Sequence, residues 1–235
     1  MTGYSATAPA RNMFDSMDNG TDWPNPPVPQ GGTSLEACAN PVRISTDGMT
    51  RVRNDLFDAR QGLDRGRPRL VEAAWYLLKC LFFLSALPWP SPLKCALLRL
   101  FGATMGRNVY IKPRVNIHFP WKLQIGDHSW IGEEVFILNL EPVVIGAHCC
   151  ISQRAFLCTG NHDFRRPEMR YRNRPILIEE GAWVGAQVFV SPGAIIGTEA
   201  VIIAGSVVTK SQPAKMVCGG NPCRPVQPRW KEGNL

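Results

Sequence analysis

From Met105 onward an aliphatic side chain returns at every sixth position. The slots are Met105, Ile111 and Ile117; Ile125, Ile131 and Ile137; Ile145, Ile151 and Leu157; Ile178, Val184 and Val190; and Ile196, Ile202 and Val208. Two places before many of them stands a small residue, as at Ala103, Ser129, Cys149, Ala182 and Ala200, and glycine often follows the slot, as at Gly106, Gly126 and Gly146. A period of six is neither the 3.6 of a helix nor the long alternation of an ordinary strand. It is the period of one short strand plus one tight turn, and three such units close a triangular coil. The slots come in threes, twelve residues from first to third, with steps between triplets of eight, eight, twenty-one and six. The pattern predicts a mainly β chain, a parallel β-helix of about five coils over residues 103–212. The aliphatic slot points inward, a small residue fills the cramped corner, and glycine or asparagine serves where the turn needs positive φ. Handedness does not follow from the period.

The step of twenty-one, from Leu157 to Ile178, exceeds a normal unit by fifteen residues. It predicts a loop over 159–176, ejected from one corner, in the stretch FLCTGNHDFRRPEMRYRNRPIL. Loops on a rigid scaffold are where function concentrates, and His162 stands at the root of this one. His118, His128 and His148 each sit beside a slot with no partner motif and read as turn residues. Arg165, Arg166, Arg170, Arg172 and Arg174 suit either an anionic acceptor or a solvated loop.

Upstream, residues 66–102 form an apolar helical segment. Val71 to Leu87 is apolar almost all round with Lys79 inside, the PWPSP stretch stops the helix, and a second helix follows over Leu93–Phe101. Seventeen residues containing a charge are marginal for crossing a bilayer. A hairpin packed on the main domain is the expectation; a helix lying in a membrane interface and a true span are the alternatives. Residues 1–65, with stretches such as WPNPPVPQGG, are too rich in proline and glycine for helix or ladder and are expected to be mostly disordered, at least to residue 50. Residues 213–235 form a C-terminal tail. No basic stretch followed by an apolar one marks a signal peptide.

Composition changes this picture little. The net charge of +7 suits anionic ligands or an acidic membrane surface, but the bases are scattered and no RNA-binding motif accompanies them, so nucleic acid is not expected. The eight cysteines contain no CxxC pair and read as free, mostly buried thiols in a reducing cytoplasm. A zinc lyase on a β-helix would need three histidines per metal, and the four present lack the spacing, so no metal site is expected. A non-catalytic scaffold is the remaining alternative.

The segment IEEGAWVGAQVFVSPGAIIGTEAVIIAGSVVTK, followed by GNPCRPV, resembles the hexapeptide-repeat acyltransferases over roughly residues 100–225. LLRLFGATMGRNVYIKPRVNIHFPWKLQIGDHSWIGEEVFILNLEPVVIG, ISQRAFLCTGNHDF and the AWYLLKCLFF helix extend the similarity to about residue 70 and look like the colanic-acid-biosynthesis acetyltransferase branch. The resemblance implies a left-handed β-helix and an acetyl-CoA-dependent O-acetyltransferase acting on a sugar hydroxyl of an exopolysaccharide or its precursor. It implies His162 as catalytic base, oriented by Asp163 or a backbone carbonyl, and Asn139 at the acceptor. Trp183, Ala186, Ala204, Gly205, Thr209, Lys210 and Arg224 are implied along the CoA. An arginine common in relatives is Gln227 here, with Arg229 available as a substitute. A homotrimer with sites between subunits is implied too, in the cytoplasm, with peripheral contact to the inner membrane open. A small-molecule acceptor, such as an antibiotic, is the rival within the same chemistry.

Overall fold

The computed structural model describes residues 51–230, so the expected disorder of residues 1–50 falls outside it, as do residues 231–235. From residue 104 the chain winds in coils of three strands. The first coil is β1 (Thr104–Met105), β2 (Tyr110–Ile111) and β3 (Asn116–Ile117); the second β4 (Leu123–Ile125), β5 (Trp130–Ile131) and β6 (Phe136–Leu138). The third is β7 (Val143–Ile145), β8 (Cys150–Ile151) and β9 (Phe156–Cys158); the fourth β10 (Ile176–Ile178), β11 (Trp183–Val184) and β12 (Phe189–Val190). The fifth is β13 (Ile195–Ile196), β14 (Val201–Ile202) and β15 (Val207–Val208), followed by β16 (Met216–Gly219) and β17 (Arg224–Pro228).

Strands pair with their equivalents one coil away, never with their chain neighbours, except at the end. The three sheets run β1-β4-β7-β10-β13, β2-β5-β8-β11-β14-β16-β17 and β3-β6-β9-β12-β15. All ladders are parallel apart from β16 with β17, which closes the second sheet as an antiparallel pair. The register puts slot on slot: Met105 faces Ile125, Ile125 faces Ile145, Ile145 faces Ile178, and Ile178 faces Ile196. Every slot side chain is buried, and together they form one continuous core along the axis.

The corners differ from expectation. The glycines after the slots do not supply positive φ. They supply room, since a Cβ on Gly126 would lie 2.5 Å from the Ala147 amide nitrogen in the next coil. Positive φ falls two residues later, at non-glycine positions such as Asn108, Arg114, His128, Glu134, His148 and Arg154, with φ between 53° and 59°. The left-handed conformation is disfavoured for such residues, and the ladder on either side holds them in it. The third corner is longer than the other two in the first coils. Successive slots are 20 residues apart up to the third coil and 18 apart from the fourth to the fifth. The extra residues sit at 118–122 and 138–142, and at the third coil this same corner expands into the ejected loop.

The helical segment is the expected hairpin, shortened. Helix α1 (Arg69–Phe82) ends five residues before Leu87, and α2 (Ser91–Leu100) follows the proline break. Trp89 closes the end of α1, its indole N–H donating to the Leu81 carbonyl at 3.2 Å. The hairpin covers the open end of the first coil. Within the solenoid each slot carbonyl accepts from the coil before it, as Gly106 N–H donates to Ile125 O and Gly126 N–H to Ile145 O. The first coil has no predecessor, and buried backbone groups without partners are costly. The helices supply the missing partners, sheet by sheet. Arg99 donates to Met105 O at 3.1 Å. Ser91 Oγ accepts from Ile111 N–H at 3.0 Å, and Lys94 Nζ donates to Ile111 O at 3.3 Å and Lys112 O at 2.9 Å. The Trp75 indole donates to Ile117 O at 3.1 Å, with Phe83 and Phe101 packed on its ring.

Residues 51–65, expected to belong to the disordered extension, are laid over the solenoid and its loop. Arg53 N–H donates to Pro167 O at 2.7 Å, and the Trp121 indole donates to Arg65 O at 2.7 Å. Among the described residues no helix is long and apolar enough to cross a membrane. Replacing Ser91 with alanine strands the buried Ile111 N–H; the expected cost is about 1–3 kcal/mol, read as a lower midpoint of urea denaturation.

Candidate active site

The loop leaves the third corner at Thr159 and returns at Pro175. Its root is pinned by backbone and side-chain bonds to the coils. Buried Thr159 donates its hydroxyl to Leu138 O at 2.8 Å and accepts from Glu141 N–H at 3.0 Å, and Arg174 N–H donates to Thr159 O at 3.0 Å. The two arms then pair across a bridge between His162 and Tyr171. Asn161 steadies the turn, its side-chain oxygen accepting from His162 N–H at 2.8 Å.

His162 is half-buried, and its ring is held from three sides. Nδ1 lies 2.5 Å from the Met169 carbonyl oxygen. A carbonyl only accepts, so Nδ1 carries a proton, and in the neutral ring the lone pair is then on Nε2. Tyr171 and Phe57 flank the ring at centroid distances of 5.0 and 5.3 Å and lie 5.2 Å from each other. Of the two orienting groups expected, the backbone carbonyl does the work. Asp163 instead accepts from Arg165 N–H at 3.3 Å, a turn contact.

The remaining predicted residues fall on two corners. Trp183, 48% exposed on β11, turns its indole to donate to Ser152 Oγ at 2.9 Å on the second corner. Ala186, Ala204 and Gly205 stack on that corner, with Gly205 N–H donating to Ala186 O at 2.8 Å. Thr209 and Lys210 are exposed on the third corner after β15, two coils beyond the loop root, and Arg224 is exposed on β17.

No protein-family profile matches the chain. It is 41% identical over 176 residues to WcaF of Escherichia coli K12, a protein assigned to colanic acid biosynthesis as an acetyltransferase, spanning 74% of this chain and 94% of that one. Its fold matches a hexapeptide-repeat acetyltransferase of Vibrio cholerae crystallised with acetyl coenzyme A, with a TM-score of 0.63 at 27% identity, covering 69% of this chain and 89% of that one. The chain belongs to the hexapeptide-repeat acetyltransferases. A further relative, the galactoside O-acetyltransferase of Escherichia coli K12, is 32% identical over 136 residues, 56% of this chain and 66% of that one.

In this acetyltransferase two of the expected residues are occupied elsewhere. Asn139 is fully buried, with its amide spent on Phe119: the side-chain oxygen accepts from Phe119 N–H at 2.9 Å and the nitrogen donates to Phe119 O. It braces the third corner. Arg229 donates to Gly181 O at 2.8 Å and Glu199 O at 2.9 Å, both from Nη1, fastening the tail to the solenoid. The four histidines do not converge. His128 and His148 stack at 5.1 Å on the first corner, His118 packs on Phe119 at the third, and His162 is in the loop.

Sequence reasoning missed Phe57, Met169 and Tyr171, which touch His162, and Glu141, whose carboxyl burial pushes up while Lys122 pulls it back. The steps of eight in the slot spacing were the available sign that Glu141 and Lys122 sit on the same corner as the loop. The thiols near the coils are poor nucleophiles. Burial pushes Cys149 up to about 12, and burial with Cys218 nearby pushes Cys223 up to about 11. At pH 8 both stay protonated, well below their pKa. Alkylation of the folded protein at that pH is therefore expected to modify exposed Cys80 and to spare Cys149 and Cys223, as mass mapping of peptides would read.

Proposed function

We propose that this acetyltransferase moves an acetyl group from acetyl-CoA to a sugar hydroxyl of an exopolysaccharide or its precursor, directly and with His162 as general base. The observation that carries the reading is the bond from His162 Nδ1–H to Met169 O. It fixes the tautomer in which Nε2 takes the proton of the attacking hydroxyl. The new C–O bond forms at the thioester carbonyl, the tetrahedral oxyanion collapses, the C–S bond breaks, and the imidazolium returns its proton to the departing thiolate. The Tyr171 and Phe57 rings keep the imidazole plane in place, so little reorientation accompanies proton transfer.

The sugar acceptor is supported by the names of the relatives, one a galactoside O-acetyltransferase and one assigned to colanic acid biosynthesis. Arg165, Arg166 and Arg170 are exposed along the loop and favour an acceptor carrying acid or phosphate groups. The described cysteines are all free, which supports work in a reducing compartment such as the cytoplasm.

The donor site takes Trp183, Ala186, Ala204 and Gly205 from the second corner, with Thr209, Lys210 and Arg224 toward the phosphates. In one chain the second corner and the His162 loop belong to different edges of the prism. A second copy set alongside brings one edge of each together, and three copies in a ring close the arrangement. The reading therefore includes a homotrimer with His162 from one subunit facing Trp183 of its neighbour.

His162→Ala is expected to lower kcat by about 10²–10⁴ while leaving acetyl-CoA affinity unchanged, measured with a panel of nucleotide sugars and glycan fragments. Retained turnover would remove His162 as base. Co-expressed His162→Ala and Trp183→Ala chains are each inactive alone; mixed trimers are expected to regain about a quarter of wild-type turnover, because one interface in four then pairs two intact halves. No recovery would place the whole site in one chain.

A further inference from the structure

Helix α1 is amphipathic in the reverse of the usual sense. Its buried residues are Trp75 and Lys79. Its outward stripe is Leu70, Leu77 and Leu81, exposed by 84, 72 and 53%, and Leu84, 36% exposed, follows just past its end. The spacing of seven and four puts the three helical leucines on one face. Leu100 of α2, 76% exposed, adds to the same end of the molecule. A contiguous apolar surface of this kind marks an interaction site.

The charge around it is mostly positive; Glu72, on the first turn of α1, is paired with Arg65. From residue 73 to residue 126 there is no Asp or Glu, while there are seven Lys or Arg. That span is most of α1, all of α2, and the first coil. Two of the cations, Lys79 and Lys94, are buried, Arg99 is spent on carbonyls of the first coil, and Arg107 and Arg114 pair with Asp127 and Glu134 of the next coil. Arg67 and Arg69, exposed, flank the start of α1. A second copy brought to this face would set like charges against like. An anionic bilayer meets both features at once, taking leucines into the acyl boundary and arginines at the headgroups.

We propose that the outer face of the helical cap docks on an anionic lipid surface, with α1 lying flat in the interface. The helix is too short to span, and the Trp75 bond to Ile117 O holds it on the first coil. Docking stands on the cap alone and is independent of the acceptor chemistry.

The test uses the full chain and extruded vesicles of phosphatidylcholine alone or mixed with phosphatidylglycerol, with binding read by co-sedimentation. Wild type is expected to pellet with the phosphatidylglycerol vesicles, less at high salt, and not with phosphatidylcholine alone. Leu77→Ser with Leu81→Ser is expected to weaken partitioning by about tenfold or more, and Arg69→Gln by a smaller factor. Failure of wild type to bind overturns the proposal, as does equal binding by the double variant. A drop in native mass on making the double substitution, without vesicle binding by wild type, would make the stripe a contact between copies and overturn it too. Should the double variant misfold, a polarity-sensitive fluorophore on exposed Cys80, with Cys38 and Cys150 replaced by serine, decides the matter. A blue shift on adding phosphatidylglycerol vesicles supports docking, and an unchanged spectrum overturns it.

Discussion

The structure depends on where the carbonyls of the first coil go. In a parallel solenoid every coil satisfies the one before it, and the first has nothing before it. Closing that edge takes donors reaching inward from a covering layer. Arg99, Lys94, Ser91 and the Trp75 indole provide them, one sheet at a time. A helix that turns its polar groups inward has its leucines left for the outside. Arg99, Lys94 and Ser91 are on α2; α1 gives the Trp75 indole, and its leucines are left outside. The far end meets the same requirement by a cheaper route, adding β16 and folding β17 back as an antiparallel partner.

A second constraint acts at the corners. At Gly106, Gly126 and Gly146 the next coil stacks so close that a Cβ has no room, and three residues after many slots the chain passes through the left-handed region. The first two corners meet both demands in six residues. The third corner, released from that economy in the first three coils, carries the longer connections, the buried Asn139 and Thr159 braces, and finally the loop. His162 therefore stands on the one edge where the repeat is already relaxed, and its ring is held there by the Met169 carbonyl rather than by a carboxylate.

The core was legible because each slot needs a property, apolar and of moderate size, that many side chains share and that recurs at fixed spacing. The loop was legible as an interruption of that spacing. The corner residues were not, since His128, Glu134 and Arg154 adopt positive φ through pressure from neighbouring coils and carry no local mark of it. Lys94 gave no sign of its role because its partners, the carbonyls of Ile111 and Lys112, belong to backbone and have no signature in side chains. The bracing bonds of Asn139 were not legible because the atoms that occupy its amide, on Phe119, lie one coil away. Phe57 and Tyr171 meet at His162 from opposite sides of a hundred-residue stretch, a contact that depends on the path of the folded chain.

The solenoid also works as a ruler. Successive coils are about 4.8 Å apart, and the chain cannot stop between marks without breaking three ladders at once. The histidine loop leaves at the third mark above the closed end. Gaining or losing one coil between cap and loop would move the reacting atoms by a whole graduation, leaving their own geometry untouched. Reach and chemistry are therefore set by separate parts of the same sequence: the count of repeats below the loop, and the few residues that hold one imidazole in it.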